Sequence, residues 1–182
     1  MRIYSFVSLV LGMLFTFQLQ AQTNCTAFAG VASPDTNAVT LQNGSATLTA
    51  TPTGNAVVPQ GYTLVYLLAT GGNNRIVQIN AQPSLTVSDT GKYSISPLVY
   101  NPDPNDPNFF DISWINPGPN GRRLNQVENQ YSRAGKCASI VLHTGLLIHV
   151  TPGTPAVCTA DAGAIKPDVA NQMIGTNGTA TL

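Results

Sequence analysis

Charged side chains are scarce in this 182-residue chain, where eight basic and eight acidic residues make up only 9% of the sequence. A typical soluble domain carries roughly 25% charged residues. The shortage argues against a nucleic-acid-binding protein, which needs clustered lysine and arginine to contact phosphates. It also argues against a disordered chain, because disorder requires few apolar residues and 43% of this sequence is hydrophobic.

Residues suited to catalysis are also few. The chain has two histidines, His143 and His149, and no Gly-x-Ser-x-Gly nucleophile elbow. Nucleophilic catalysis needs a nucleophile, a base that activates it and a third group that orients the base. If both histidines occupy one regular strand, a rise of about 3.3 Å per residue separates them by roughly 20 Å, too far to share a metal ion. We therefore expect a non-catalytic protein without a cofactor.

The N-terminus has the layout of a secretory signal peptide. Arg2 provides one positive charge before an apolar run from Ser5 to Phe17, and polar residues then lead to Ala21. The run is shorter than the roughly 20 apolar residues that span a bilayer. No second apolar stretch approaches that length. We predict a signal peptide at residues 1–21, a secreted or cell-surface location, and no membrane span in the mature chain.

Two blocks of the sequence recur in the same order, the first 133 residues further on and the second 134 residues further on. Cys-Thr-Ala-Phe-Ala-Gly at 25–30 returns as Cys-Thr-Ala-Asp-Ala-Gly at 158–163, and Asn-Gly-Ser-Ala-Thr-Leu at 43–48 returns as Asn-Gly-Thr-Ala-Thr-Leu at 177–182. Solenoid repeats are about 20–50 residues long, so a repeat of this length is a whole domain. We predict one complete unit at residues 25–152 and the start of a second, truncated repeat at 153–182.

The three cysteines are explained by the same repeat. Cys25 and Cys158 are equivalent positions, so each unit has one cysteine at its start and one near its end. Pairing Cys25 with Cys137 leaves no cysteine unpaired in a complete array, whereas pairing Cys137 with Cys158 would join neighbouring units. Disulfides persist in exported proteins. We favour the Cys25–Cys137 disulfide, which leaves Cys158 without a partner.

Within the complete unit, short β-rich segments are separated by turn residues, which is typical of an all-β sandwich or barrel. Residues 45–50 alternate strictly between hydroxyl and apolar side chains, and Pro97 implies a bulge or a change of strand partner. The predicted strands are residues 45–50, 62–69, 75–79, 84–87, 92–100 and 138–150. Leu124, Val127 and Tyr131 follow a helical period, with Gly135 placed to end a helix. We predict an immunoglobulin-like β-sandwich with one short helix packed against one end.

Asp89, Gly91 and Tyr93 open one of the predicted strands. Their spacing resembles the tyrosine corner of immunoglobulin-like domains, in which a tyrosine hydroxyl bonds to the main chain a few residues upstream. Tyr93 would take this role. Ile95 stands two residues later, so the antibody-type disulfide between two strands is absent.

A long loop at residues 101–121 contains five prolines and offers two candidate binding features. The first is a set of oxygen ligands suited to calcium, but aspartate and asparagine next to proline also form turns for local reasons, and we favour that interpretation. The calcium candidates are Asp103, Asn105, Asp106 and Asp111. The second is a group of aromatic side chains that can stack on a sugar or cap the core beneath the loop; we favour the cap. The aromatic candidates are Phe109, Phe110 and Trp114.

Several of these segments together resemble the tandem repeats of large secreted and cell-surface Bacteroidota proteins. The segments are residues 25–30, 43–48, 59–62, 66–68, 91–93 and 137–138. The resemblance implies an Ig-like unit in an adhesin-like chain, of the type that carries a C-terminal sorting domain. The expected function is a non-catalytic extracellular module with a spacer or adhesion role. The alternative is a carbohydrate- or calcium-dependent binding module that uses the 101–121 loop. Expected partners are neighbouring repeats, with surface glycans or proteins as further candidates.

Overall fold

The computed structural model describes residues 25–142 and 146–153. The predicted signal peptide (1–21) and the predicted second repeat from residue 154 onward lie outside the described residues. So do His143 and Cys158. Neither helix in the described ranges has the length and apolar character needed to cross a membrane.

The described residues form nine strands, one 3₁₀ helix and one α-helix. The strands are β1 (Ala32–Pro34), β2 (Ala38–Thr40), β3 (Ala46–Pro52), β4 (Thr63–Thr70), β5 (Ile76–Asn80), β6 (Ser84–Val87), β7 (Gly91–Tyr100), β8 (Ser139–Ile140) and β9 (Ile148–Thr151). The 3₁₀ helix covers Ile112–Ile115, and the α-helix, α1, covers Leu124–Arg133. Both helices lie in the long connection between β7 and β8.

The strands form two sheets. The smaller has the order β1-β3-β6, and the larger has the order β2-β9-β7-β4-β5, with β8 also paired to β7. Neighbouring strands are antiparallel except for β2 and β9, which run parallel. The chain is thus mostly β-sheet with two sheets and one α-helix, which confirms the predicted sandwich at this level.

Strand β3 shows why the two sheets pack together. Its apolar residues Ala46, Leu48 and Ala50 are buried, while Thr47 and Thr49 between them are exposed. Successive side chains in a strand point to opposite faces, so this alternation gives one apolar face. That face packs in one cluster with side chains of both sheets, among them Tyr66, Leu68, Leu85, Tyr93 and Ile95.

The larger sheet is buried on both faces. Strand β4 directs Tyr66 and Leu68 toward the smaller sheet, so Leu67 and Ala69 must face the other way. This outer face packs against α1 and the loop before it through Leu124, Val127, Tyr131, Phe110 and Ile115. The helix therefore covers the outer face of the larger sheet as a third layer. The prediction that it packs against one end of the sandwich is wrong, because amphipathic spacing identifies an apolar face but not its partner.

The helix begins and ends where its sequence indicates. At its start, Arg123 N donates to Gln126 Oε1 at 2.9 Å, and Leu124 N donates to Asn74 O at 3.0 Å. At its end, Gly135 adopts a φ of 62°, a left-handed conformation that glycine tolerates best. The predicted role of Gly135 is confirmed.

The prediction of a single strand over residues 138–150 is wrong. Strands β8 and β9 pair with the same edge of β7 at different places, β9 opposite residues 91–93 and β8 opposite residues 98–99. Pro97 lies between them, and its carbonyl accepts a hydrogen bond from Val141 N at 3.2 Å. The N–H and C=O of one strand residue bond on the same side, so the missing donor of Pro97 faces this edge. The change of strand partner that Pro97 implied is confirmed.

The disulfide joins Cys25 to Cys137, with their Cα atoms 5.1 Å apart. The predicted pairing is confirmed. It connects the segment before β1 to the end of the β7–β8 connection, although 112 residues separate the two cysteines in sequence. In the chain-entropy description, a loop of this length is worth about 4–5 kcal/mol of stability.

Candidate ligand-binding surface around Trp114

The acidic residues of the 101–121 loop are engaged in local turns. Asn105 N donates to Asp103 Oδ1 at 2.9 Å, and Asn108 N donates to Asp106 Oδ1 at 2.7 Å. Each carboxylate thus accepts a main-chain N–H two residues ahead, as in an Asx turn. In the described ranges, no three His, Cys, Asp or Glu side chains come together as metal ligands would. The calcium candidates Asp103, Asn105 and Asp106 therefore belong to turns, and Asp111 is the N-cap of the 3₁₀ helix.

The same loop is attached to the disulfide region. Asn108 Oδ1 accepts a hydrogen bond from Cys137 N at 3.0 Å, and the Lys136 ammonium donates to the carbonyl oxygen of Phe109. These two contacts hold the middle of the loop against the segment that follows α1. The loop is consequently part of the helical layer.

The three aromatic candidates take two different positions. Phe110 is 4% exposed and packs in the outer core, the cluster of apolar side chains between the larger sheet and α1. Its ring centroid lies 6.3 Å from that of Tyr100, in an edge-to-face contact. Phe109 and Trp114 are only partly buried. Trp114 contacts Phe110 edge-to-face at 6.4 Å. The favoured cap interpretation therefore describes Phe110, and it also describes the inner side of Trp114, which packs against the same core cluster. The rest of the Trp114 side chain lies at the surface.

Trp114 is placed by the 3₁₀ helix. Asp111 caps this helix, because its Oδ1 accepts from Ser113 N at 3.0 Å and from Ser113 Oγ at 2.6 Å. The helix ends at Asn116, which has a φ of 49°. Ile115, next to Trp114, is fully buried and its carbonyl accepts from Arg122 N at 2.9 Å. The 3₁₀ helix that carries Trp114 is therefore held by the Asp111 cap at its start, by the turn at Asn116 at its end, and by the buried side chain of Ile115.

Arg122 adds a charged contact to the tryptophan ring. Its guanidinium carbon lies 4.7 Å from the ring centroid, within the range of a cation–π interaction. At a partly exposed site such a contact contributes about 0.5–1 kcal/mol. The orientation of the ring is thus set by Phe110 on its edge and Arg122 over its face.

Two adjoining clefts open beside Trp114. The first, of about 190 Å³, lies between the loop and the end of α1 and is lined by Phe109, Phe110, Asp111, Trp114, Gln130, Ala134 and Lys136. The second, of about 220 Å³, lies along α1 and is lined by Trp114, Gln126, Asn129, Gln130 and Arg133. Both clefts include Trp114 and Gln130. We refer to the residues of these two clefts as the Trp114 surface.

The sequence interpretation identified the aromatic half of the Trp114 surface and missed its helical half. Gln126, Asn129, Gln130 and Arg133 are four of the polar residues on the outer side of α1. Their spacing of three, four and seven residues places them on one stripe of a helix. This spacing can be seen in the sequence. However, polar residues are expected on the outer face of any amphipathic helix that faces water, so the spacing alone does not indicate a binding site.

Another cleft, of about 260 Å³, lies where β5 and β6 leave the two sheets open. It is lined by residues of both sheets, including Leu68, Val77, Thr86, Val87 and Tyr93. The Oε1 atom of Gln78, another lining residue, is buried without a hydrogen-bond partner in the described part of the chain. This cleft is the open side of the sandwich core.

The predicted tyrosine-corner residues lie at the start of β7. The Tyr93 hydroxyl donates to the carbonyl oxygen of Asp89 at 3.1 Å, and Gly91 between them has a φ of 153°. Burial raises the pKa of the Tyr93 hydroxyl, and the charge of Asp89 raises it further. His149 is exposed on β9, opposite Lys92.

The chain matches no protein-family model, and no curated protein and no solved structure is detectably similar to it.

Proposed function

We propose that residues 25–152 form a non-catalytic, extracellular immunoglobulin-like repeat module with a spacer or adhesion role in a secreted or cell-surface protein. The strand order supports the immunoglobulin-like assignment. The order β1-β3-β6 corresponds to strands A, B and E of that fold, and β4-β7-β9 corresponds to C, F and G. Strand β5 pairs with β4 in the place of C′.

The Tyr93–Asp89 hydrogen bond also supports this assignment. In immunoglobulin-like domains, a tyrosine near the start of strand F bonds to the main chain a few residues upstream. Tyr93 stands at the third position of β7, the strand that corresponds to F, and its hydroxyl reaches back four residues.

The observation that carries the spacer role is the position of the two chain ends. The entering chain lies beside one end of β7, because Ala29 N bonds to Ser139 Oγ and Ser139 is paired with Val99. The leaving chain lies beside the other end, because Val150 is paired with Gly91. The eight residue steps from Gly91 to Val99 along this strand correspond to roughly 27 Å. A module entered at one end and left at the other adds its own length to a tandem array.

The disulfide supports a location outside the cytosol. Disulfides form and persist in oxidising compartments. The Cys25–Cys137 bond ties the entering chain to the body of the module. In a tandem array, a mechanical force applied to the entering chain would therefore be transmitted to the module through a covalent bond.

Export and extension test the proposal separately. The full chain, expressed in a Gram-negative host, should be recovered outside the cytosol, cleaved near Ala21, with Cys25 and Cys137 joined in non-reducing peptide mapping. A tandem of two copies of residues 25–157 should exceed a single copy by about 30 Å or more in the maximum dimension measured by X-ray scattering. A cytosolic chain with free thiols contradicts the extracellular assignment. A tandem that folds back to the dimension of one copy contradicts the spacer role.

A further inference from the structure

We propose that the Trp114 surface binds a neutral saccharide, which packs on Trp114 and hydrogen-bonds to the side-chain amides of Gln126, Asn129 and Gln130. The inference rests on the adhesion role within the proposed function and names the class of its ligand. It also moves the binding site from the 101–121 loop alone to the boundary between that loop and α1.

Trp114 is partly exposed, and its ring is held in place by its neighbours. A tryptophan that only filled the core would bury its ring, and Phe110 beside it does so with 4% of its surface exposed. Trp114 remains partly exposed while Phe110 and Arg122 fix its ring. A ring fixed before the ligand arrives loses little freedom on binding, which favours affinity. The C–H face of a sugar ring is the apolar surface that packs on such an aromatic ring.

The polar residues of α1 that line the second cleft have the chemistry that a sugar requires. A side-chain amide offers two N–H donors and one carbonyl acceptor, and a sugar hydroxyl both donates and accepts. Gln126, Asn129 and Gln130 line the second cleft next to Trp114. The Oε1 of Gln126 accepts from Arg123 N, so the part of this amide left to bond a ligand is its N–H donors. A few convergent polar groups beside an aromatic ring are what a small-molecule site requires.

The Trp114 surface carries few charged side chains that are free of other contacts. The second cleft contains one charged residue, Arg133, and the first contains one of each sign, Asp111 and Lys136. Lys136 already donates to the Phe109 carbonyl, and Asp111 already accepts from Ser113. An anionic ligand would call for a cluster of cationic donors in bidentate geometry. The other cation at this surface, Arg122, lies over the Trp114 ring. With these contacts made, the lining suits an uncharged ligand.

Size and lining distinguish a saccharide from a peptide. Volumes of about 190 and 220 Å³ are smaller than the roughly 300–1,000 Å³ of sites for drug-sized ligands. Each cleft suits one ring, and because both include Trp114 and Gln130, two adjoining sugar units suit the pair. A peptide would need a free strand edge or a row of apolar pockets. Apart from Trp114, the second cleft is lined by polar side chains alone.

The test uses the fact that Trp114 is the only tryptophan in the chain. The oxidised full chain is titrated with disaccharides of glucose, galactose, mannose and N-acetylglucosamine, and with the corresponding soluble polysaccharides. Tryptophan emission and calorimetry are recorded in parallel. We expect at least one neutral saccharide to give a saturable change in emission with matching heat. Gln130→Ala should then weaken binding by about five- to tenfold, the loss expected for one or two hydrogen bonds.

Two control variants keep the result specific. Asn125 is exposed on the same helix and lies outside both clefts, so Asn125→Ala should bind like the parent chain. Trp114→Phe, followed by calorimetry, should retain weakened binding because a smaller ring remains. Gln130 is exposed, so the melting temperature of Gln130→Ala should match that of the parent chain.

Three outcomes overturn the proposal: no saturable response to any saccharide by either method, equal weakening in Gln130→Ala and Asn125→Ala, or binding of an acidic ligand or a peptide in place of neutral sugars. The spacer role is judged separately by the scattering experiment. An extended tandem that binds no sugar would refute the saccharide site alone, and a sugar-binding chain that folds back on itself would refute the spacer role alone.

Discussion

The Tyr93 hydroxyl donates a hydrogen bond to the main-chain carbonyl of Asp89, 3.1 Å away. Tyr93 is on β7 of the larger sheet, and Asp89 lies in the connection from β6 of the smaller sheet. The bond therefore fixes the point where the chain crosses from one sheet to the other. The Tyr93 ring packs in the core between the sheets, so the hydroxyl ties the connection to that core.

Removing this hydroxyl should destabilise the domain without changing its fold. We expect Tyr93→Phe to lower the free energy of unfolding by about 0.5–1.5 kcal/mol, the net contribution of one hydrogen bond. Urea denaturation of the parent chain and the variant measures it. Tyr66→Phe is the matched control, because Tyr66 is equally buried and its hydroxyl makes no hydrogen bond to the described residues. Equal losses in the two variants would show that the Asp89 contact contributes nothing.

Alkaline pH should weaken the fold through its buried tyrosines. Burial raises the pKa of Tyr93 and of Tyr131, and the charges of Asp89 and Glu128 raise them further, while the Ile140 N–H bonded to Tyr131 opposes the shift. A pKa above the unfolded value of about 10 means that the folded state holds its proton longer. The stabilisation is therefore complete below pH 10 and is lost as the pH rises through the folded pKa values.

Urea unfolding at pH values between 8 and 11 measures this dependence. We expect the free energy of unfolding to decline above about pH 10. The decline should be smaller in the Tyr93→Phe/Tyr131→Phe double variant. Burial raises the pKa values of Tyr62, Tyr66 and Tyr100 as well, so part of the decline should remain. Parallel pH profiles for the parent and the double variant would contradict the assignment to Tyr93 and Tyr131.

The Cys25–Cys137 bond should account for a large part of the stability. We expect the Cys25→Ser/Cys137→Ser double variant to lose about 4–5 kcal/mol, because the unfolded chain is released from a loop of more than a hundred residues. Guanidinium denaturation with and without a reductant measures the effect. Both chains should carry Cys158→Ser, which prevents thiol exchange. An unchanged midpoint on reduction would show that the bond does not stabilise the folded state.

The outer helical layer should unfold together with the two sheets. Leu124 is 1% exposed and packs in the outer core, so Leu124→Ala should cost about 2–5 kcal/mol. Asn125→Ala, on the exposed side of the same helix, should stay within about 0.5 kcal/mol of the parent chain. Circular dichroism and the emission of Trp114 should give coincident transitions. If the tryptophan signal is lost first, the helical layer is a separate unit.

The strands that could be predicted from the sequence are those whose burial leaves a pattern. Ala46, Leu48 and Ala50 alternate with threonines because one face of β3 meets the core and the other meets water. Strands β1 and β2 were missed, since three residues are too few to show a period. Their positions are fixed by pairing with distant strands, as in the register of Ala38 with His149.

The disulfide could be predicted because the sequence block that begins with Cys25 recurs at Cys158, which suggested that these two cysteines are equivalent and that Cys137 pairs with Cys25. The placement of α1 and the Trp114 surface could not, for a different reason. Leu124 and Val127 show that the helix has an apolar face. Strands β4 and β7 are apolar on both faces, so their sequences do not show which face packs against the helix. Gln130 meets Trp114 only after that docking, so no local pattern joins them.

A methyl group added at Gly121 should disturb the loop that carries Trp114. A Cβ on this buried residue would lie 2.1 Å from the carbonyl oxygen of Ile76, a main-chain atom of β5 that cannot simply rotate away. The same carbonyl accepts from Gly118 N at 3.1 Å, and Arg122 O accepts from Ile76 N at 2.9 Å. These bonds attach the loop to the edge of β5, so an added methyl group must push the loop outward.

Gly121→Ala should therefore cost about 1–3 kcal/mol, in the range of overpacked sites. It should also shift the emission of Trp114, because Arg122, which lies over that ring, is the next residue in the chain. Gly72→Ala is the matched control, since its added Cβ has no neighbour within 4 Å. Urea denaturation followed by tryptophan emission measures both effects at once. Equal stability and unchanged emission in Gly121→Ala would mean that the loop is not held against β5, and that Trp114 is oriented by Phe110 alone.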